Sequence, residues 1–275
     1  MRIVLICLIF GSVQNSFAFS EGLGMPRALG LTKSGLWSAG VNPAALANMP
    51  GLSLGVASAK PYLLQDVASN SFAVASPCKN LAALGLLVSS TGTANFRTSS
   101  ISLVMAKSFA QKVRFGLSLN YMQTTLGADY GRSNTLAVDL GLQVNLQRTM
   151  TLGFQLSNPT GARRSAIHSE RYPTHVSIGL GYHFSEKLSI VAACNKSLSR
   201  PARLEAGCIY EPTKHLRLHA GVEGGQGQVY FGMGWKFKQW QLDLLSRMHP
   251  QLGQSPMFSL TYSHVRKAPV PICVD

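Results

Sequence analysis

The residues of this sequence that could act on a substrate are few and scattered. The stretch Gly51-Leu52-Ser53-Leu54-Gly55 matches the pattern in which a serine nucleophile occupies a sharp turn between a strand and a helix. Ser53, however, lies among residues of alternating polarity that are typical of a strand, so a chance match is the better interpretation. Because the setting that an activated serine requires is missing, we predict that the protein is not an enzyme.

The histidines do not form a metal-binding pattern either. His183 and His219 are predicted to face the interior from two separate strands. No cysteine or carboxylate pair accompanies them at the spacing of metal ligands. We therefore predict no metal and no cofactor, and we interpret each histidine as a polar interior residue.

Charged residues that are predicted to point inward recur in the last third of the chain. Asp243 and Arg217 are expected to flank Gly234, which has no side chain to separate them. Opposed charges of this kind either brace a wall or an interior plug, or line a polar path, and we favour the bracing role. The predicted interior charges and polar residue are Arg203, Glu211, Arg217, His219, Glu223 and Asp243.

The predicted pairing of these charges depends on where one hairpin turns. If the hairpin is centred on Thr213, Arg203 lies opposite Glu223, and Arg217 lies diagonal to Glu211. We expect alanine substitutions of Arg203 and Glu223 to be non-additive on this alignment.

The elements that position these side chains are strands. From Arg203 to Arg247, large apolar residues alternate with small or polar ones over four segments that are separated by short breaks. A soluble sheet would carry more charge on its polar face, yet charged residues form only 13% of this chain, about half the usual share. Small residues inside and apolar residues outside favour a transmembrane β-barrel over a soluble sandwich.

Alternation over the whole chain predicts an all-β, antiparallel up-and-down transmembrane barrel of about fourteen strands between residues 51 and 265. The connections alternate between long and short, as expected of outer loops and periplasmic turns. The ten strands outside the 203–247 stretch are predicted at 51–58, 69–76, 80–89, 99–108, 112–123, 133–146, 149–157, 174–184, 187–197 and 256–265.

The two ends of the chain are predicted to lie outside the barrel wall. Residues 1–20 have the basic start, short apolar core and small residues of a cleaved signal peptide. Residues 21–50 lack alternation and form either an ordinary leader or a hatch inside the barrel, which is too wide for wall side chains to fill. Residues 266–275 form a periplasmic tail, and a disulfide between Cys78 and Cys273 is a hypothesis.

Basic residues are predicted at both rims of the barrel, in accord with the net charge of +14. An exported barrel without an aromatic and basic platform is not expected to bind nucleic acid. The outer loops carry basic residues that suit anionic lipopolysaccharide, and the turns suit an acidic periplasmic partner. The outer residues are Arg97, Arg132, Arg163, Arg164 and Arg171, and the turn residues include Lys112, Arg148, Lys187, Lys214 and Lys238.

The segment Gly40-Val41-Asn42-Pro43-Ala44-Ala45-Leu46-Ala47, preceded by Gly24–Gly30, resembles the N-terminal motif of the FadL-type outer-membrane barrels. Within that superfamily the chain is most similar to the branch of PorV and PorQ, accessory barrels of type IX secretion. The resemblance implies that Asn42, Pro43 and Ala44 belong to a hatch within a fourteen-stranded barrel of the bacterial outer membrane.

The resemblance leaves two functions open. The first is a barrel that binds a secretion translocon or periplasmic subunits without transporting anything itself. The alternative is a passive channel for hydrophobic small molecules such as fatty acids, gated by the hatch. The longest outer loop, 158–173, is basic where fatty-acid transporters carry an apolar capture site, so we predict the first function. An apolar pocket beside the hatch would favour the second.

Overall fold

The protein is a closed barrel in which every strand pairs antiparallel with its sequence neighbours. The computed structural model describes residues 25–78, 82–93, 95–110, 112–126, 131–162, 172–198, 200–225 and 227–265. Fourteen strands form the ring, and the first and last of them pair to close it. The predicted fold class and the predicted number of strands are confirmed. The predicted signal peptide, the tail at 266–275 and Cys273 lie outside the described residues.

Strand ends agree with the predicted ones to within three residues. The strands are β1 (Gly51–Ala59), β2 (Ala68–Pro77), β3 (Ala83–Gly92), β4 (Phe96–Phe109), β5 (Val113–Leu126), β6 (Arg132–Gln147), β7 (Met150–Ser157), β8 (His175–His183), β9 (Leu188–Ser197), β10 (Arg203–Tyr210), β11 (Leu216–Glu223), β12 (Gln228–Phe237), β13 (Trp240–His249) and β14 (Gly253–Val265). The largest deviations are three residues, and they occur at both ends of β3, at the starts of β4 and β14 and at the end of β5.

Large apolar side chains cover the outer face of the barrel, as a wall in contact with lipid requires. Leu103 and Leu136 are more than half exposed although they lie in the middle of long strands. Aromatic residues gather at the end that carries the short turns, which is the periplasmic end in barrels of this class. Among them Trp240 and Tyr262 pack with ring centroids 5.0 Å apart, and Phe184 is 62% exposed. None of the helices in the described ranges has the length and apolar character needed to cross a membrane.

The N-terminal residues 25–50, here called the hatch segment, lie inside the barrel against its inner wall. They contain one short α-helix, α1 (Arg27–Thr32), and two 3-10 helices, Trp37–Gly40 and Pro43–Asn48. The main apolar core of the molecule consists of apolar residues of this segment and inward apolar side chains of the strands, among them Leu87, Ile209 and Leu245. The core therefore lies within the barrel, between hatch segment and wall.

One predicted register is wrong. In the hairpin between β10 and β11, Glu223 lies opposite Glu205 and not opposite Arg203, which is a shift of two residues. The turn is longer than the predicted Pro212–Lys214, because Thr213 Oγ1 accepts hydrogen bonds from the backbone N–H groups of both His215 and Leu216. A hydroxyl that bonds the chain ahead of it shapes a wider turn, and this moves the centre of the hairpin by one residue.

Candidate functional site

Inward glycines clear the space that the hatch segment occupies. A Cβ placed on Gly116 of β5 would collide with the backbone of Pro43 and Ala44, and one on Gly153 of β7 with the carbonyl group of Leu31. Inward glycines on other strands also lie against hatch residues; they are Gly55, Gly85, Gly141, Gly179 and Gly181. Since glycine weakens a strand, its repeated use at these positions reflects the close approach of another backbone.

Asn42 ties the hatch segment together and to the wall. Its side chain is fully buried, and its Oδ1 accepts the N–H of Ala44 at 3.1 Å, which caps the second 3-10 helix. Its Nδ2 lies 3.2 Å from two carbonyl oxygens, that of Leu31 in α1 and that of Leu142 in β6. Gln143 of β6 donates a further bond of 2.8 Å to the Leu31 carbonyl. One amide thus joins both parts of the hatch segment to the barrel, and the predicted motif residue lies at the centre of this contact.

Trp37 lies over the seam where the first and last strands close the barrel. Its indole Nε1 donates a 3.0 Å hydrogen bond to Thr261 Oγ1 on β14. Its ring lies against Gly55 on β1, and Gly55 and Thr261 are direct partners in the register of the two strands. A single side chain of the hatch segment therefore contacts both sides of the seam.

An apolar cavity of about 330 Å³ lies beside the hatch segment, between it and the wall of β10–β14. Leu29, Leu36 and Trp37 line it from the hatch segment. From the wall it is lined by Ile209, Leu245 and Met257. Burial of apolar surface favours the binding of apolar molecules in such a space.

A second, polar space adjoins the cavity at the end that carries the short turns. This second space has a volume of about 340 Å³ and shares Arg217, Lys236 and Asp243 with the apolar cavity. Arg217 Nε lies 2.6 Å from Glu211 Oε1, while Asp243 accepts a 2.8 Å bond from Gln241. The apolar cavity and the charged space thus share a boundary of charged residues on the side of the short turns.

A network of charges lies toward the outer end of the lumen. Glu205 is buried, and its Oε2 accepts the backbone N–H of Arg27 at the start of α1 at 3.0 Å. Glu223, which lies opposite Glu205, has its carboxylate oxygens 3.7 Å from Arg203 Nη1 and 3.8 Å from Arg247 Nη1. The hydrogen bond from Arg27 to Glu205 holds the hatch segment to β10, and Glu223 links Arg203 on β10 with Arg247 on β13.

The outer loop that follows β7 folds back into the opposite side of the lumen. Asp139 on β6 accepts bonds from Ser157 Oγ at 2.6 Å and from the N–H of Asn158 at 3.0 Å. The buried amide of Asn158 donates a 2.6 Å bond to the carbonyl of Tyr172, whose ring packs against Met122. The described parts of this loop, 158–162 and 172–174, therefore pack against the inner wall at β5 and β6.

The remaining predicted interior residues fall into two groups. Arg217 and Asp243 do flank Gly234 on β12, so this part of the prediction is confirmed. Arg217 and Glu211 form a direct ion pair where a diagonal one was predicted, because of the same two-residue shift. His219 faces inward beside Gly232 and lines the cavity, and among the described residues no group of three metal-ligating side chains exists.

The predicted docking residues all lie in turns at one end of the barrel. Lys112, Arg148, Lys187, Lys214 and Lys238 are exposed. Cys78 is a free, exposed cysteine, whereas its proposed disulfide partner, Cys273, lies outside the described residues. The other two described cysteines, Cys194 and Cys208, are free and exposed on the outer face of the barrel. Ser53, the chance match to a nucleophile, is buried in β1 and lies 2.9 Å from Ser263 Oγ.

Sequence reasoning missed the residues that make the cavity apolar. Ile209, Leu245 and Met257 are large apolar side chains at inward positions, and Leu245 and Met257 are direct partners on β13 and β14. The sequence did contain a signal for this patch. Leu245 directly follows an outward apolar residue and Ile209 directly precedes one, so each interrupts the strict alternation of apolar and polar residues. Interrupted alternation on several strands of one side of the barrel marks an apolar patch inside a polar lumen.

The charge network allows a test of its pairing. We expect Arg203→Ala and Glu223→Ala to be non-additive by about 0.5 to 1 kcal/mol in the thermal unfolding of the barrel, followed by the shift in gel mobility on heating. The coupling is modest because Arg247 stays beside Glu223 in the Arg203 variant. The matched control pairs Arg203→Ala with Glu211→Ala at the far end of β10, and additive effects are expected there. Additivity in the first pair would contradict the ion pair.

Solved structures share this architecture, although no protein-family model and no curated protein matches the sequence. The P. putida toluene transporter TodX matches with a TM-score of 0.66 at 12% identity, over 90% of this chain and 98% of that chain. The Ralstonia pickettii toluene transporter TbuX matches with a TM-score of 0.66 at 10% identity, over 90% of this chain and 97% of that chain. A Pseudomonas aeruginosa FadL homologue matches with a TM-score of 0.61 at 13% identity, over 90% of this chain and 98% of that chain.

The fold is that of the FadL-type outer-membrane barrels. Together with the apolar outer face, this fold places the chain in the bacterial outer membrane, as predicted. Identities of 10–13% establish a shared FadL-type fold and no more than that. The comparisons lend no support to the PorV and PorQ branch, so the finer part of the predicted resemblance stays without support.

Proposed function

We propose that this FadL-type barrel passes small hydrophobic molecules across the outer membrane, with the hatch segment controlling the path. The observation that carries the proposal is the apolar cavity beside the hatch segment, lined by Trp37, Leu245 and Met257. An apolar cavity in an otherwise polar lumen is a place where hydrophobic molecules leave water. TodX and TbuX, which share the fold, are toluene transporters, and this supports the same assignment.

The proposal replaces the secretion-accessory function that loop length had favoured. Short outer loops remove the external capture site, but they do not bear on a cavity that lies inside the lumen. The neighbours of the same fold are transporters, and this supports a protein that is not an enzyme. Contacts of Arg97 and Arg132 with lipopolysaccharide, and of the basic turns with an acidic periplasmic partner, stay proposals of their own.

Permeation measurements on matched variants test this function. We expect Met257→Gln to slow the entry of radiolabelled toluene about fivefold in cells that lack other barrels of this type, because it places an amide in the apolar cavity. Met122→Gln is the control, since Met122 also faces the lumen but lies against Tyr172 and outside the cavity. Equal entry in cells with and without the unaltered protein would reject the proposed function.

A further inference from the structure

The longest strands of the barrel are three neighbours, β4, β5 and β6, with 14, 14 and 16 residues. β4 has Phe109 at the end of the short turns and Arg97 near its outer end. Its 14 residues span about 45 Å, or about 35 Å along the membrane normal at a strand tilt of about 40°. The apolar band of outer-membrane barrels is about 25 Å tall, so the outer ends of these strands stand at the level of the lipid headgroups.

The outward side chains of β4, β5 and β6 form three rows, one above the other, and the members of each row are direct partners in the register of the strands. The apolar row consists of Ile101, Tyr121 and Leu136, the amide row of Ser99, Gln123 and Asn134, and the arginine row of Arg97, Thr125 and Arg132. Toward the outer end, the surface of this wall therefore changes from apolar to neutral polar and then to cationic.

The arginine row places two guanidinium groups on either side of a hydroxyl group. Since neighbouring strands lie about 4.8 Å apart, the Cα atoms of Arg97 and Arg132 are about 10 Å apart, with Thr125 between them. Thr98 and Thr124, which adjoin Arg97 and Thr125 along the chain, are buried on the inner face with their hydroxyl oxygens 3.3 Å apart. Arg97 and Thr125 therefore point outward, and both arginines are exposed.

The protein does not neutralise these two arginines. In the described part of the chain, no ion pair joins Arg97 or Arg132 to a carboxylate. Two like charges at this separation repel each other, and an anion placed between them turns this repulsion into attraction. The planar guanidinium group matches the oxygen atoms of a phosphate with two parallel hydrogen bonds, and the hydroxyl of Thr125 can donate one more.

The amide row, directly below the arginines, suits a sugar. Gln123 Nε2 donates a 3.2 Å hydrogen bond to Asn134 Oδ1, and Ser99 Oγ lies 3.4 Å from Ser90 Oγ on β3. An amide has two donor hydrogens and an oxygen with two lone pairs, so both amides keep capacity for sugar hydroxyl groups. A free phosphate ion would use the arginine row alone, whereas a phosphorylated sugar that carries acyl chains would use all three rows.

We propose that the outer face of β4, β5 and β6 is a binding site for lipid A, the phosphorylated sugar lipid of the outer leaflet. One phosphate binds between Arg97 and Arg132, the sugar lies along the amide row, and acyl chains lie against the apolar row. This site faces away from the lumen, so it is independent of the cavity and of what passes through the barrel.

Native mass spectrometry of the protein in detergent micelles tests this site. The protein is refolded from inclusion bodies, so that it carries no lipid from the outer membrane. The probes are lipid A with both of its phosphates, the same lipid A after removal of both phosphates, and phosphatidylglycerol. We expect lipid A to bind at a concentration about tenfold lower than either of the other two lipids.

Substitution of both arginines should remove this preference. Arg97→Gln with Arg132→Gln should weaken the binding of lipid A about tenfold and leave the binding of dephosphorylated lipid A unchanged. Each substitution alone should weaken lipid A about threefold, because both arginines hold the same phosphate. Lys107→Gln with Lys112→Gln is the matched control, since it removes two exposed positive charges at the opposite end of β4 and β5 and should change nothing.

The heat-dependent gel shift shows that each variant is folded, as expected for exposed side chains without a partner in the described chain. Equal binding of lipid A with and without its phosphates would overturn the inference. The same holds if lipid A binds the double arginine variant as tightly as the unaltered protein. Phosphatidylglycerol that binds as tightly as lipid A, with the same dependence on the two arginines, would overturn the assignment to lipid A in favour of a glycerophospholipid.

Discussion

Gly116→Val is expected to displace the hatch segment while the barrel stays folded. The new side chain would occupy the position of the Pro43–Ala44 backbone, which cannot move aside as a flexible side chain would. Overpacking of this kind costs about 3 kcal/mol, which corresponds to a roughly 100-fold larger population of the undocked segment. The barrel itself should persist, because its closed ladder of strand pairs does not include the hatch segment.

Trypsin digestion of the purified protein measures this displacement. Arg27, whose backbone N–H is held by Glu205, is the site to follow, and its cleavage rate should rise steeply in the Gly116 variant. Ala192→Val is the control, since this residue is exposed on the outer face of β9. A variant that keeps Arg27 protected and also keeps the heat-dependent gel shift would show that the segment does not dock against β5.

Asn42→Leu is expected to reduce the free energy that holds the hatch segment in place by about 3 kcal/mol, because three hydrogen bonds of about 1 kcal/mol each are lost. The leucine side chain has a similar size, so it fills the space that the asparagine leaves. Hydrogen exchange of peptides from residues 25–50 should show the loss, with α1 and the second 3-10 helix exchanging together because Asn42 joins them. Exchange in the strands should stay slow.

The control for this change is Asn70→Leu, an exposed asparagine on the outer face of β2 whose side chain bonds only to Ser58 among the described residues. Its hatch peptides should exchange at the unaltered rate. If only one of the two helices loosens in the Asn42 variant, the amide does not act as the joint between them.

Alternation predicted the outward apolar face of the strands between Arg203 and Arg247, and the exposed side chains of Leu204, Phe231 and Leu244 agree with it. It could not predict the register of the β10–β11 hairpin, because a shift of two residues leaves Arg203, Glu205 and Glu223 on the same face. Only the shape of the turn at Thr213 distinguishes the two alignments, and that depends on one hydroxyl group.

The cavity could not be predicted from local sequence patterns, for a different reason. Trp37 and Leu245 line the same space although about two hundred residues separate them, so their proximity follows only from ring closure and hatch docking. The motif around Asn42 predicted that a segment enters the lumen. The inward glycines, such as Gly116 and Gly141, were the part of the sequence from which its position could have been inferred.

The position of Trp37 has a consequence for how the molecule assembles. Its binding place consists of Gly55 on the first strand and Thr261 on the last, so it does not exist until the two most distant strands of the chain have paired. Such non-local pairing is the slow part of folding. The contacts of Asn42 and Leu31 with β6–β8 do not depend on this closure, but Trp37 can reach its place only after the ring has closed, so the burial of one indole reports the completed barrel.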